Sequence, residues 1–291
     1  MSTFLQGCAF FIANLILLLQ AIIKERMNNK DLFARTELLI GSDAMKEIAS
    51  KKVILFGVGG VGSWCAEGLI RSGITHLTIV DPDRVALANI NRQLPATTKT
   101  VGNLKVDVLK KRLSDINPYA TINSVPEIYS EETYEQFKLD QYDYIIDAID
   151  SLSNKIHLLL RASKTDATVF SSMGAGLKID PQKIDVTEFW KVRGCKLAAA
   201  MRERMKKMGK PTKPILCVYS EELLKNRGEE VVEYANENGS FKKAGINGTM
   251  VQVTAVFGFT LSGLVVKDII KNINLINIQG PKKAAASLER P

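Results

Sequence analysis

The stretch Lys51-Lys52-Val53-Ile54-Leu55-Phe56-Gly57-Val58-Gly59-Gly60-Val61-Gly62-Ser63 constrains this chain more than any other. A short apolar run passes directly into a turn with glycine at Gly57, Gly59, Gly60 and Gly62, and a helical pattern follows from Ser63 to Ser72. A strand, a tight glycine turn and a helix in that order suit the first unit of a parallel sheet. In such a unit, backbone N–H groups and a helix N-terminus face an anion. The stretch therefore predicts a cradle for a nucleotide phosphate, without saying which nucleotide.

From Lys51 onward, strand and helix patterns alternate. Val53–Phe56, His76–Val80, Thr121–Val125, Tyr144–Ile149 and Thr168–Ser171 read as parallel strands. Helical patterns fall between them at Ser63–Ser72, Leu104–Ile116, Glu131–Leu139 and Ser153–Ser163. The rhythm predicts an α/β fold, Rossmann-like, with a largely parallel sheet and helices on both faces. After Gly176 the rhythm breaks into a smaller C-terminal β/α portion. There Leu177–Phe189 reads as a hairpin around Pro181, Lys196–Lys207 as a basic helix, Ile215–Tyr219 as a strand and Thr249–Ile270 as a long apolar core helix.

The chain divides into an apolar segment over residues 1–26, one nucleotide-binding domain over 27–272, and a tail over 273–291 that reads as disordered. Ser2–Ile23 carries no charge and is followed by Lys24, Glu25 and Arg26. Three readings of it stand. Met27 is the true start, or the segment is a membrane anchor whose positive flank keeps the remaining chain cytoplasmic, or it is a buried or partner-docked helix. A secretory signal fits poorly, because no positive residue precedes the run.

The formal net charge of +8 favours polyanionic partners or an anionic membrane surface. Cys8, Cys65, Cys195 and Cys217 contain no Cys-x-x-Cys pair, which argues against a paired-cysteine zinc site and gives no disulfide framework. With only His76 and His157 present, histidine-centred catalysis is disfavoured.

Gly57, Gly59 and Gly62 satisfy G-x-G-x-x-G, and Asp81 follows the last glycine by 19 residues at the end of the next strand. That is a dinucleotide fingerprint in which Asp81 would hold a ribose, and it serves NAD and ATP almost equally. Residues further along separate them. Asn89-Ile90-Asn91-Arg92-Gln93 follows the second strand, and Lys105 opens the next helical pattern. A dehydrogenase has little use for two cations there, whereas transfer of AMP must neutralise a triphosphate and a charged transition state. Asp147-Ala148-Ile149-Asp150 places a carboxylate at the end of the fourth strand, in the position suited to Mg²⁺ shared with phosphates.

With Asp81-Pro82-Asp83, these motifs resemble, in order, those of the ubiquitin-activating-enzyme-like adenylyltransferases of the ThiF/MoeB type, over about Asp31 to Ile270. The resemblance implies ATP and Mg²⁺ as cofactors, with Gly57, Gly59, Gly60, Gly62, Asp81 and Asn89 binding the nucleotide. It also implies Arg92 and Lys105 on the phosphates and Asp150 on the metal. Arg35, in Phe33-Ala34-Arg35-Thr36-Glu37-Leu38-Leu39-Ile40-Gly41, matches an arginine that these enzymes reach across a homodimer interface.

The missing paired cysteines depart from the activators of ubiquitin-like proteins. Met173-Gly174-Ala175-Gly176, Ile179-Asp180-Pro181, Arg202-Glu203-Arg204, Cys217-Val218-Tyr219-Ser220-Glu221 and Thr254-Ala255-Val256-Phe257-Gly258-Phe259 instead resemble the tRNA threonylcarbamoyladenosine dehydratase branch. That resemblance implies ATP-dependent cyclisation of a modified adenosine beside the tRNA anticodon. Lys191–Lys213 holds nine Lys or Arg and one Glu, either a solvated face or an acceptor for a tRNA backbone. Cys217 reads as a buried strand residue or as a thiol involved in acyl transfer or in sulfur handling with a sulfur-transfer partner. The alternatives are activation of a ubiquitin-like sulfur carrier, an NAD-dependent oxidoreductase, and a nucleotide-binding protein without catalysis.

Overall fold

The computed structural model describes residues 32–228, 232–235, 241–244 and 247–273. The readings of the N-terminal apolar segment and of the C-terminal tail lie outside the described residues. Two short helices, α1 (Ala34–Ile40) and α2 (Ser42–Ser50), lead into β1 (Lys52–Phe56). Strand β1 is four-fifths buried in an unbroken apolar run, as befits a strand covered on both faces.

β1 pairs in parallel with β2 (His76–Val80) on one side and β4 (Tyr144–Asp147) on the other. Beyond them lie β3 (Thr121–Val125), β5 (Thr168–Ser172), β7 (Leu216–Ser220) and the antiparallel edge strand β6 (Ile184–Glu188), giving the order β3-β2-β1-β4-β5-β7-β6. The chain moves outward to β2 and β3 and then returns to the other side of β1 through β4. The gap beyond the carboxyl ends of β1 and β4 is therefore the switch point of the sheet, where ligands of open α/β sheets bind.

Helices cover both faces, as the alternating patterns predict. Residues of α3 (Gly62–Arg71), α4 (Lys105–Ile116) and α7 (Val251–Asn272) form one core with β1, β2 and β4. Residues of α5 (Leu152–Ala162) and α6 (Lys196–Met208) form the other. The apolar helix near the C-terminus is a core helix, with Val253, Phe257, Leu261, Val265 and Ile269 fully or almost fully buried at four-residue spacing. It is long and apolar enough to cross a bilayer, but half of its apolar window is inside the fold. It crosses α3 closely: a Cβ on Gly258 would lie 2.5 Å from the Val61 carbonyl oxygen. A separate antiparallel pair, β8 (Val232–Ala235) and β9 (Phe241–Ala244), precedes α7.

Three local expectations are corrected. Glu131–Leu139 is not an α-helix but two 3₁₀ turns, Tyr134–Phe137 and Leu139–Gln141, interrupted by Lys138 at φ 45°. So short a segment, with only Phe137 and Leu139 buried, cannot offset helix nucleation. Leu177–Phe189 is not a hairpin: its single strand, β6, pairs with β7 through Val186↔Val218. Leu177 instead bonds outward, its N–H donating to the Gly248 carbonyl at 2.8 Å. The fourth strand stops at Asp147 rather than Ile149, because the Asp147 carboxylate turns back to accept from the Ile149 N–H at 3.1 Å.

Candidate nucleotide-binding site

The glycine turn lies at the switch point. The Gly57 N–H donates to the Val80 carbonyl at 2.8 Å, and the Ala148 N–H donates to the Phe56 carbonyl at 2.8 Å. Gly57 sits at φ +84°, and a Cβ there would fall 2.7 Å from the Ala148 carbonyl oxygen. A Cβ on Gly62 would lie 1.8 Å from the Gly57 carbonyl oxygen. Both positions therefore need glycine to close the turn on itself and on the loop after β4. No side chain caps the N-terminus of α3; its Ser63 and Cys65 N–H groups donate back to the Gly59 and Val61 carbonyls at 3.2 and 3.1 Å, and its positive end faces the space above the turn.

Asp81 ends β2 and ties the turn to the next loop. Its carboxylate accepts from the Val58 N–H at 2.8 Å and from the Asp83 N–H at 2.9 Å. Burial pushes the Asp81 carboxyl above the usual carboxylate range, against the pull of the Lys105 charge and the two N–H donors. Lys105, the first residue of α4, is 5% exposed. Its Nζ reaches Asp83 Oδ2 at 2.7 Å, and its N–H donates to the Asp83 carbonyl at 3.0 Å.

The segment carrying Arg92 is folded against the same turn. Asn89 Oδ1 accepts from the Ala86 N–H at 3.0 Å, and the Asn89 carbonyl accepts from Arg92 and Gln93 at 3.1 and 2.9 Å. Two further bonds dock it on α3: Trp64 Nε1 donates to the Arg92 carbonyl at 3.1 Å and the Leu94 N–H to Ser63 Oγ at 3.2 Å. The Arg92 stem consequently lies over Gly60, 3.4 Å from a Cβ built there. Its guanidinium donates to the Ala88 carbonyl at 2.9 Å and to Asn91 Oδ1 at 2.8 Å.

Asp150 is exposed in the loop after β4, immediately before α5. Asp147 is fully buried and pairs with Lys155 Nζ at 2.7 Å. The structure thus gathers the glycines, Asp81, Asn89, Arg92, Lys105 and Asp150 at the carboxyl ends of β1, β2 and β4. Arg35 does not join them: it is exposed on α1 and makes no hydrogen bond or ion pair among the described residues.

Motif reading overlooked three other parts of the site. Gln93 is buried beside the turn, its Nε2 3.7 Å from a Cβ on Gly59, and its Oε1 has no hydrogen-bond partner among the described residues. Its place in the Asn89–Gln93 run was the available signal. Asp83, the partner of Lys105, stands in the Asp81-Pro82-Asp83 motif, which gave it no role, and Lys155, the partner of Asp147, gave no signal by spacing.

The basic stretch forms α6, which buries Ala198, Met201 and Met205 and leaves its lysines exposed. Arg204 reaches Ser153 Oγ at 3.2 Å, near the start of α5 and three residues beyond Asp150. Lys210 instead stands 5.5 Å over the Trp190 ring, past the end of β6 and away from the glycine turn. Cys217 is fully buried, and burial pushes its thiol far above the usual range, which makes it a core residue. Among the described residues no group of three or more His, Cys, Asp or Glu side chains could hold a metal.

The chain is 37% identical over 249 residues to tRNA threonylcarbamoyladenosine dehydratase of Bacillus subtilis (strain 168), covering 85% of this chain and 98% of that protein. It is 35% identical over 238 residues to the Escherichia coli (strain K12) enzyme of the same name, covering 78% and 89%. The crystal structure of E. coli tRNA N6-threonylcarbamoyladenosine dehydratase, TcdA, in complex with ATP matches with a TM-score of 0.73 at 32% identity, over 84% of this chain and 96% of that one. The same enzyme in complex with AMP matches with a TM-score of 0.74. The ThiF family profile matches residues 33–287, most of the chain. By the glycine turn, the strand order and this match, the chain belongs to the ThiF family.

Proposed function

We propose that this protein is an ATP-dependent tRNA threonylcarbamoyladenosine dehydratase, closing a ring on the modified adenosine beside the anticodon. The observation that carries the reading is the placement of Arg92, Lys105 and Asp150 after successive strands around the glycine turn, at the switch point of the sheet. A carboxylate is a poor electrophile. Attack of one threonyl carboxylate oxygen on the α-phosphorus of ATP forms an acyl adenylate and expels pyrophosphate. The neighbouring carbamoyl group then attacks the activated carbonyl carbon, and AMP leaves with that oxygen. Water is lost from the base overall, and ATP becomes AMP and pyrophosphate.

Arg92 and Lys105 stabilise the charge on the phosphates and on leaving pyrophosphate, for which each must exchange its present internal partner for a phosphate oxygen. Asp81 holds the ribose, and Asn89 orients the segment that carries Arg92. Asp150 would hold Mg²⁺, to which the hard oxygen of an exposed carboxylate beside the phosphate cradle is suited. When bound, that ion supplies charge neutralisation to the phosphates. Attacker and target share one side chain, so proximity supplies much of the rate and no enzyme nucleophile is required. The buried state of Cys65, Cys195 and Cys217 agrees with that and disfavours a thiol route to a sulfur-transfer partner through them.

The protein acts as a homodimer in the cytoplasm. Support comes from α1, which buries no residue and exposes Leu38 and Leu39 by 88% and 84% beside Arg35. A second copy on that face would cover the leucines and bring Arg35 to its neighbour's phosphates. Carrier activation is disfavoured by the basic face of α6, which suits a polyanion, and by the full-length likeness to enzymes named for tRNA. Pyrophosphate release that requires threonylcarbamoylated tRNA supports the proposal. Release that requires only a carrier protein, or near-normal turnover by Asp150→Ala or Arg92→Ala, refutes it.

A further inference from the structure

The loop that carries Asp150 is held by a buried device that the reaction itself does not use. Asp147 and Lys155 form an ion pair in which both side chains are 0% exposed. Taking two charges out of water is costly, and a well-packed apolar pair would serve the β4–α5 contact at least as well. The remaining bonds of the pair account for its presence. Asp147 Oδ2 also accepts from Ser171 Oγ at 2.6 Å, and Asp147 and Ser171 are directly paired across β4 and β5. Asp147 Oδ1 accepts the Ile149 N–H at 3.1 Å, while Lys155 Nζ donates to the Ile149 carbonyl at 3.0 Å.

Both polar ends of Ile149 are thus seized by one ion pair, immediately before Asp150. On its other side the same loop rests on the glycine turn, where the Ala148 carbonyl fills the space that a Cβ on Gly57 would need. We infer that Asp147, Lys155 and Ser171 are positioning residues that clamp the 148–150 loop onto the glycine turn and so set the Asp150 carboxylate for a divalent ion shared with the nucleotide phosphates. This rests on the proposed role of Asp150. It extends that role to three residues that touch neither nucleotide nor metal.

The test is Mn²⁺ affinity of the nucleotide-loaded protein, read by electron paramagnetic resonance with a non-hydrolysable ATP analogue, in the full chain. Lys155→Met alone strands a buried carboxylate, so the neutral pair Asp147→Asn with Lys155→Met is used beside Ser171→Ala. The neutral pair should weaken Mn²⁺ by about 10–100-fold, the usual effect of losing the outer support of a metal ligand. Ser171→Ala should weaken it by about tenfold, the lower worth of one hydrogen bond to a charged group. Affinity for the analogue without divalent ion should stay within about threefold, since the glycine turn and Asp81 are untouched.

Asp150→Asn separates this inference from the metal assignment on which it rests. If Asp150→Asn leaves Mn²⁺ binding intact, the metal assignment falls. If it weakens Mn²⁺ while the neutral pair and Ser171→Ala bind like the wild type, the clamp is overturned. A measurement on the unaltered protein covers the case in which the neutral pair does not fold. The Ile149 amide should exchange its hydrogen far more slowly than an open loop, and exchange within about tenfold of an unstructured amide overturns the clamp.

Discussion

Replacing Gly57 by alanine strikes the contact that joins the phosphate cradle to the Asp150 loop. The residue sits at φ +84°, and its added Cβ would lie 2.7 Å from the oxygen and 2.9 Å from the carbon of the Ala148 carbonyl. A left-handed backbone costs an alanine about 1–2 kcal/mol. Both clashing atoms are backbone, so relief requires moving the loop, and overpacking of that kind costs about 1–3 kcal/mol. The sum, about 2–5 kcal/mol, corresponds to a fall in melting temperature of about 5–15 °C in a domain of this size. Gly59→Ala is the contrast. A Cβ there meets nothing nearer than Gln93 Nε2 at 3.7 Å, an ordinary contact. Its folding stability should change by no more than about 0.5 kcal/mol. The new methyl nevertheless stands where a phosphate must approach the backbone, so ATP affinity should fall by about tenfold or more. Thermal melts with and without ATP, together with titration calorimetry, read both effects. If Gly57→Ala melts within about 2 °C of the wild type, or Gly59→Ala binds ATP normally, the geometric account of the turn is wrong.

Two further outcomes test other parts of the molecule. Lys206 and Lys207 are exposed on the basic face of α6, and replacing both by alanine should lower the slope of log affinity for tRNA against log salt by about 1–2; an unchanged slope removes α6 from the tRNA surface. Glu67 is buried between α3 and α4, where burial alone would raise its carboxyl but Arg112 and Arg71, bonded at 2.9 and 2.8 Å, hold it below its usual value. A depressed carboxyl contributes stability that is present above its unfolded value and is lost as pH falls through the folded one. Glu67→Gln should therefore cost about 1–3 kcal/mol near neutral pH and flatten the acid side of the stability profile, and an unaltered profile would contradict the assignment.

The parts of the site that were legible in the sequence are those whose chemistry is local. The apolar run into Gly57, the acid closing β2 and the Asn89–Gln93 turn each occupy one short segment, and each lies where its spacing puts it. Lys105 could be placed because it opens a helix. Its partner Asp83 could not, since that contact exists only once the loop after β2 folds back on α4. The Asp147–Lys155 pair is hidden for the same reason. Eight residues separate the two in sequence, and a lysine on α5 reads as a solvent-facing residue until packing buries it. The expected hairpin at Leu177–Phe189 failed because the true partner of β6 is a strand about thirty residues later. Pairing at that distance leaves no mark in local spacing. The helix expected over Glu131–Leu139 failed because so short a run, with only Phe137 and Leu139 buried, cannot offset helix nucleation and breaks into 3₁₀ turns about the left-handed Lys138.

The proposed dehydratase activity requires that this site activate a carboxylate on tRNA. The most direct measurement is mass spectrometry of nucleosides from threonylcarbamoylated tRNA incubated with the protein, ATP and Mg²⁺. The modified adenosine should be converted to a product lighter by one water, in a reaction dependent on ATP and abolished in Asp150→Ala. A nucleoside of unchanged mass, while the protein releases pyrophosphate on a carrier protein instead, would contradict it.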